Sequence, residues 1–313
     1  MMFAIIAVAA VVLASLPVLL RRAGRRLPPA EWTILCVVAL AGAVVLVELA
    51  LLLVAAPVAL SIMGLHSLAA VCDEMLGSLA AIGHWLGPVA AAAALVLPAA
   101  VVHQWRRISG RSAELWIEPG LGRHEYSDEL ELVVLPTDAA IAYCVARPRP
   151  QVVVSEGLVR QLPPDQLDAV LAHERAHLAR RHPALLRLVA TAATVLAWWP
   201  PARSSDRVAR AAIERWADDV AVNGDHRRRG ALLSALLGLA LVEAPSGVPA
   251  FSPAEATAGR VEALAGHGAT GATTRLGMYL PGALLGTTVA ATLLSCVAAI
   301  PPALAFIREC CSF

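Results

Sequence analysis

Lysine is missing from this sequence: all 25 basic residues are arginine. Set against 24 acidic residues they leave a net charge of +1, which argues against direct nucleic-acid binding through a basic surface. Cysteine is scarce, and none of the six (Cys36, Cys72, Cys144, Cys296, Cys310 and Cys311) stands in a C-x-x-C pair. That argues against a disulfide scaffold or a cysteine-based zinc knuckle. Charge of either sign is short, at 16% of residues, whereas 58% are hydrophobic. Such a balance exceeds the apolar share of a soluble domain and points to an integral membrane protein. The richness in Ala, Val and Leu without lysine suggests a GC-rich bacterial source.

Four apolar stretches reach the roughly 20 residues that a bilayer crossing needs, at about 2–20, 33–57, 85–102 and 279–307. The first has no positive charge before it and an arginine cluster after it, the reverse of a cleaved signal, so it is read as a retained anchor. Arg21, Arg22, Arg25 and Arg26 follow the first span, and Arg106, Arg107 and Arg111 follow the third. The loop between the second and third spans has no arginine but holds Asp73 and Glu74. By the positive-inside rule, the arginine-rich sides face the cytoplasm of a bacterial cell membrane. The expected organisation is a membrane region over 1–107, a cytoplasmic domain over 108–278, and a fourth span with a short outer tail over 279–313. Glu48 falls mid-way along the second span, where a carboxylate needs a partner or a cavity. Cys72 and the Cys310/Cys311 pair share the outer side, where a bridge between them could persist. His66, His84 and His103 fall near membrane borders as interfacial polar residues.

Within the cytoplasmic segment, "LELVVL" (130–135), "AIAYCVA" (140–146) and "QVVVS" (151–155) read as short strands separated by proline-containing turns. The last is either an edge to which an extended substrate adds or a strand of the core. A helix follows, opened by Pro163-Pro164-Asp165 and stopped by Pro183. It carries His173-Glu174-Arg175-Ala176-His177, of the form H-E-x-x-H. Histidines four apart share a helix face, so both imidazoles can reach one metal with Glu174 beside them. His182 at the helix end reads as a C-terminal cation. The apolar runs 184–199 and 230–242 are short for spans and read as buried or interfacial helices, with the tryptophans at the membrane surface.

A catalytic zinc takes three protein ligands and keeps one position open. The stretch 204–226 supplies the third: it starts at Ser/Asp N-cap candidates, ends at Asn223-Gly224, and places Glu214 and Asp218 on one face. Glu214 completes a set with His173 and His177, and Asp218 is placed to hydrogen-bond a liganding histidine. One Zn2+ per chain is expected. Glu174 would act as the proton acceptor, and Tyr143, His226 and Arg260 are candidate oxyanion or substrate contacts.

His173–His177 followed by Glu214-Arg215-Trp216-Ala217-Asp218 resembles the gluzincin membrane proteases. "VVVSEGLVRQLPPDQLDAVLAHERAHLARRHP" and "WWPP" (198–201) are similar to the BlaR/MecR-type sensor metallopeptidases, with HtpX-like and CAAX-protease-like enzymes related. The antibiotic sensors carry an outer penicillin-binding domain after the fourth span, and this sequence stops at Phe313. The resemblance implies a mainly α membrane protein of about four spans with an α+β zincin-like cytoplasmic domain. Its substrate would be a cytosolic transcriptional repressor of the BlaI/MecI kind, cut in signal transduction. The competing readings are an HtpX-like quality-control protease and a non-catalytic sensor or scaffold with a structural zinc. The sequence leaves the oligomeric state open.

Overall fold

A computed structural model describes residues 2–76, 80–118, 121–126, 130–146, 148–240 and 254–266. The expected fourth span, Cys310 and Cys311 lie outside the described residues. Helices α1 (Met2–Leu19), α2 (Arg21–Gly24), α3 (Pro29–Ile62), α4 (His66–Leu76) and α5 (Ala80–Ala113) form the first part. Pro29 opens α3 at a position where a missing N–H costs nothing. Ahead of it, Gly24 lies flat against the Trp32 ring, in the space a Cβ would fill.

Two of these helices, over Pro29–Ile62 and Trp85–Ala113, are long and apolar enough to cross a membrane, and α1 carries a shorter apolar stretch. At 1.5 Å per residue, the 34 residues of α3 extend about 51 Å. Both long helices expose large apolar side chains, among them Val45, Leu52, Leu95 and Val96, which a helix in a soluble core would bury. Within α3, Glu48 encloses one carboxylate oxygen that has no hydrogen-bond partner among the described residues.

Strands β1 (Arg123–Tyr126), β2 (Glu131–Leu135), β3 (Ala142–Val145) and β4 (Gln151–Ser155) form one sheet in the order β1-β2-β4-β3. β2 and β4 are parallel, and the outer pairings are antiparallel. β4 is therefore interior and buried at all five positions, so "QVVVS" is a core strand, and β1 and β3 are the edges. Gln151 anchors the segment after α5 to this sheet, exchanging hydrogen bonds with the Ile117 backbone and donating to Glu131.

Helices α6 (Glu156–Gln161), α7 (Pro164–Ala179), α8 (His182–Val195), α9 (Pro200–Val222), α10 (His226–Ala240) and α11 (Ala254–Ala265) complete the described chain. Val170 of α7 and Ala235 of α10 pack on Val152 and Val154 of the sheet. The run 184–199 is largely α8, and with α9 it packs against α3: Val189, Ala192, Ala209 and Ala212 share a core with Trp32, Cys36 and Leu40. Trp199 donates from Nε1 to Ser15 Oγ. The start of α9 is a correction to the sequence reading. The helix opens at Pro200, and Ser205 lies inside it, buried and donating to the Ala14 carbonyl instead of capping. Its other end follows expectation, with Asn223 and Gly224 both at positive φ.

Candidate metal centre

The site is assembled from α7, α9 and α11, with β3 alongside. Pro164 sets the first turn of α7, and the helix then carries His173, Glu174 and His177 into the interior, each less than a tenth exposed. α9 brings Glu214 across from them. One donor atom from each of His173, His177 and Glu214 falls within 4.8 Å of the others. The two histidine Nε2 atoms are 3.1 Å apart, and Glu214 oxygens lie 3.5 Å from His173 Nε2 and 3.7 Å from His177 Nε2. Ligands about 2.05 Å from a tetrahedral zinc are separated by ~3.3 Å, so the three distances suit that ion.

Charge agrees with geometry. Burial disfavours a charged His173, but hydrogen bonds to Asp218 and Glu214 outweigh it and carry the pKa to about 9. Burial and the neighbouring His173 hold His177 at about 3. Burial alone would raise Glu214, yet its hydrogen bond with His173 and the charges of His177, His173 and Arg260 bring it to about 2. The pair of imidazoles thus carries one positive charge beside an ionised carboxylate, so the pocket accommodates a cation. Two imidazoles and a carboxylate with room for water are the donor set of a catalytic zinc.

Glu174 is not part of that triangle. Burial raises its pKa above the usual carboxylate range, partly offset by His173. Cys144 of β3 is its neighbour, and burial, then the Glu174 charge, push that thiol up. Asp218 receives the Nδ1 proton of His173 at 2.9 Å. Burial works against its ionisation, but the His173 bond and Arg260 hold it well below the usual range.

Three sequence candidates change standing. Arg260, 1% exposed on α11, is bound at both ends of the Asp218 carboxylate, Nε at 2.8 Å and Nη2 at 2.6 Å. Its Nη1 lies 3.3 Å from Glu214. It lines the cavity as a counter-charge to the two acids. Tyr143 lines the cavity, but its hydroxyl donates to the Leu115 carbonyl. His226 stands exposed at the start of α10 and does not line the cavity.

His182 is a further correction. Instead of ending α7 as a surface cation it opens α8, fully buried. Arg181, at φ 54°, folds the chain back so that His182 Nδ1 lies 3.2 Å from His177 Nδ1. Burial brings its pKa to about 4, so it is neutral and able to pair with the far nitrogen of His177. Trp216 of α9 packs on its other face, ring centres 4.7 Å apart.

No solved structure matches this chain. A "Protease HtpX homolog" of Acaryochloris marina is 34% identical over an 88-residue alignment that takes in 24% of this chain and 30% of the relative. The shared region is thus under a third of that relative's length. Residues 121–239 match the family model of Peptidase family M48, a segment that runs from β1 into α10 and holds His173, Glu174, His177, Glu214 and Asp218.

Proposed function

We propose that the protein is a membrane-anchored, zinc-dependent endopeptidase that cuts polypeptides at the cytosolic membrane face. The observation that carries this reading is the triangle of buried His173 and His177 with half-buried Glu214, and buried Glu174 outside it and beside it. The match of 121–239 to an M48 peptidase supports it independently. Zinc, when bound, supplies a Lewis acid that polarises a peptide carbonyl and makes water nucleophilic near neutral pH. His173, His177 and Glu214 would hold it. Glu174 accepts the proton of the attacking water and returns it to the leaving amine, a role that a raised carboxylate pKa suits. Asp218 fixes the tautomer of His173, and His182 does the same for His177. The free side of β3 offers backbone groups to which an extended substrate can pair.

The orientation follows from the arginines at 21–26 and 106–111, which keep this segment in the cytoplasm under the positive-inside rule. On substrates, similarity to a protease named as an HtpX homologue supports the quality-control reading, in which the substrates would be membrane proteins. The BlaR/MecR-like wording of 152–183 favours release of a cytosolic repressor. A deletion strain that accumulates damaged membrane proteins selects the first, and one that retains an uncut repressor selects the second.

The test is zinc content together with cleavage in detergent-purified protein. Wild type should hold about one zinc per chain, and Glu214→Ala should lose it or bind it far more weakly. Glu174→Gln should keep zinc and cut nothing. Cleavage undiminished in Glu174→Gln would refute the mechanism, and a wild type that takes up no zinc would refute the metal centre.

A further inference from the structure

One cavity, about 1890 Å³, connects the metal centre to the border of the membrane helices. Residues 142–146, which include the edge strand β3, line it, as do arginines from α2 and the turn after it and from α9 and α10. Arg21, Arg26, Arg207, Arg215 and Arg229 form no ion pair with a carboxylate among the described residues. The acids lining the same space are nearly all committed. Glu174, Glu214 and Asp218 belong to the metal centre, and Glu262 pairs with Arg25, which leaves Asp219. The wall around the metal centre is therefore strongly positive although the whole chain is close to neutral. Arg207 donates to Ser204 Oγ and Arg215 to the Arg25 carbonyl, but neutral acceptors leave the charges uncompensated, and an incoming anion relieves them. Burial and the nearby Arg25 charge already depress Arg215.

An occupant that reaches from these arginines to the metal centre passes β3. A polypeptide can satisfy the open backbone groups there, and a lipid headgroup cannot. We propose that the cavity selects polypeptide segments bearing acidic side chains, which Arg26, Arg207 and Arg215 seat while the main chain pairs with β3. This rests on the peptidase reading and adds its substrate class. Guanidinium groups hold carboxylates with paired hydrogen bonds, so aspartate and glutamate near the cut bond are the matching side chains.

The test separates binding from cleavage. Three labelled peptides of one sequence, with Asp, Asn or Lys at the flanking positions, are titrated into full-length Glu174→Gln protein in zwitterionic nanodiscs. The Asp peptide should bind about tenfold tighter than the Asn peptide, ~1.4 kcal/mol, with the gap closing as salt rises. Adding Arg26→Ala and Arg207→Ala should remove most of the gap, and Arg203→Ala, exposed on α9 outside the cavity, should leave it. Equal binding of the Asp and Asn peptides overturns the proposal, as does a gap that survives the arginine changes. Displacement of the Asp peptide in phosphatidylglycerol nanodiscs, with charge-blind cleavage there, overturns it in favour of a lipid site. Hydrolysis by the wild type is scored apart: charge-selective binding without any hydrolysis keeps this proposal and sinks the peptidase reading.

Discussion

Replacing Arg260 by methionine removes one charge from the most enclosed ion cluster of the described chain while keeping most of the side-chain volume. Arg260 faces Asp218 through two hydrogen bonds and Glu214 at 3.3 Å, and both Arg260 and Asp218 are under a twentieth exposed. Taking away one partner of a buried pair typically costs ~3–5 kcal/mol, because the remaining charge stays buried. Part of that cost is recovered here. Asp218 keeps the His173 bond at 2.9 Å, and the Arg260 charge now lowers the pKa of His173, so its loss strengthens the imidazolium. The expected loss without metal is therefore at the lower end, about 3 kcal/mol, or a fall in Tm of ~6–12 °C at the 2–4 °C per kcal/mol of larger domains. Chelated and zinc-supplemented protein in detergent would be melted at one scan rate, followed by tryptophan fluorescence. Zinc should narrow the gap, since a dication between His173 and Glu214 replaces part of the lost charge. Combining Arg260→Met with Asp218→Asn should recover much of the loss, because no uncompensated charge then remains. A single variant melting within about 2 °C of wild type without metal would refute the claim that Arg260 neutralises this centre.

Other consequences can be checked with the same preparations. His182→Leu keeps an apolar body against Trp216 but leaves the far nitrogen of His177 without its partner, and should weaken zinc binding about 10–100-fold in a competition titration. Unchanged affinity would remove His182 from the site. Gly157→Ala drives a Cβ into the Asp138 carbonyl at the start of α6 and should cost about 1–3 kcal/mol in thermal unfolding. Gly110→Ala, where no atom lies within 4 Å, is the control. The His124 pKa is raised, chiefly by its hydrogen bond to Glu131 at 2.6 Å. A raised histidine contributes fully below the unfolded value of about 6.5 and loses that contribution as pH climbs through the folded one. Strands β1 and β2 should therefore exchange amide protons faster, relative to the rest of the sheet, as pH rises above about 6.5. His124→Gln should flatten that dependence, and an unaltered one would disprove it.

What could be read from sequence is what a single element encodes. His173, Glu174 and His177 lie on one helix, so their shared face follows from spacing alone, and the same holds for Glu214 and Asp218. β2, β3 and β4 are runs of β-branched and apolar residues. The unbroken "QVVV" marks an interior strand once alternation is looked for and not found. β1, "RHEY", carries charge at its exposed positions and gives no such signal. The sequence does not place His182, because the reversal depends on Arg181 in a left-handed conformation, which no glycine announces.

Arg260 is the instructive case, because the sequence offers it as an oxyanion or substrate contact and the structure sets it against two acids. Glu174, Glu214 and Asp218 put three carboxylates around one ion, and a dication cannot neutralise three buried negative charges. Some cation had to enter from elsewhere in the chain. A sequence with 25 arginines and no alignment of helix faces does not say which one. Only packing selects it: Leu264 of α11 shares a core with Leu232 and Leu236 of α10, Ala169 of α7 and Val222 of α9, and one turn earlier on α11 Arg260 meets Asp218, 42 residues away in the chain. The metal centre thus depends on an apolar core in which α10 and α11, which supply none of its ligands, pack on the two helices that do. Cutting Leu264 back to alanine should consequently loosen zinc binding as well as the fold.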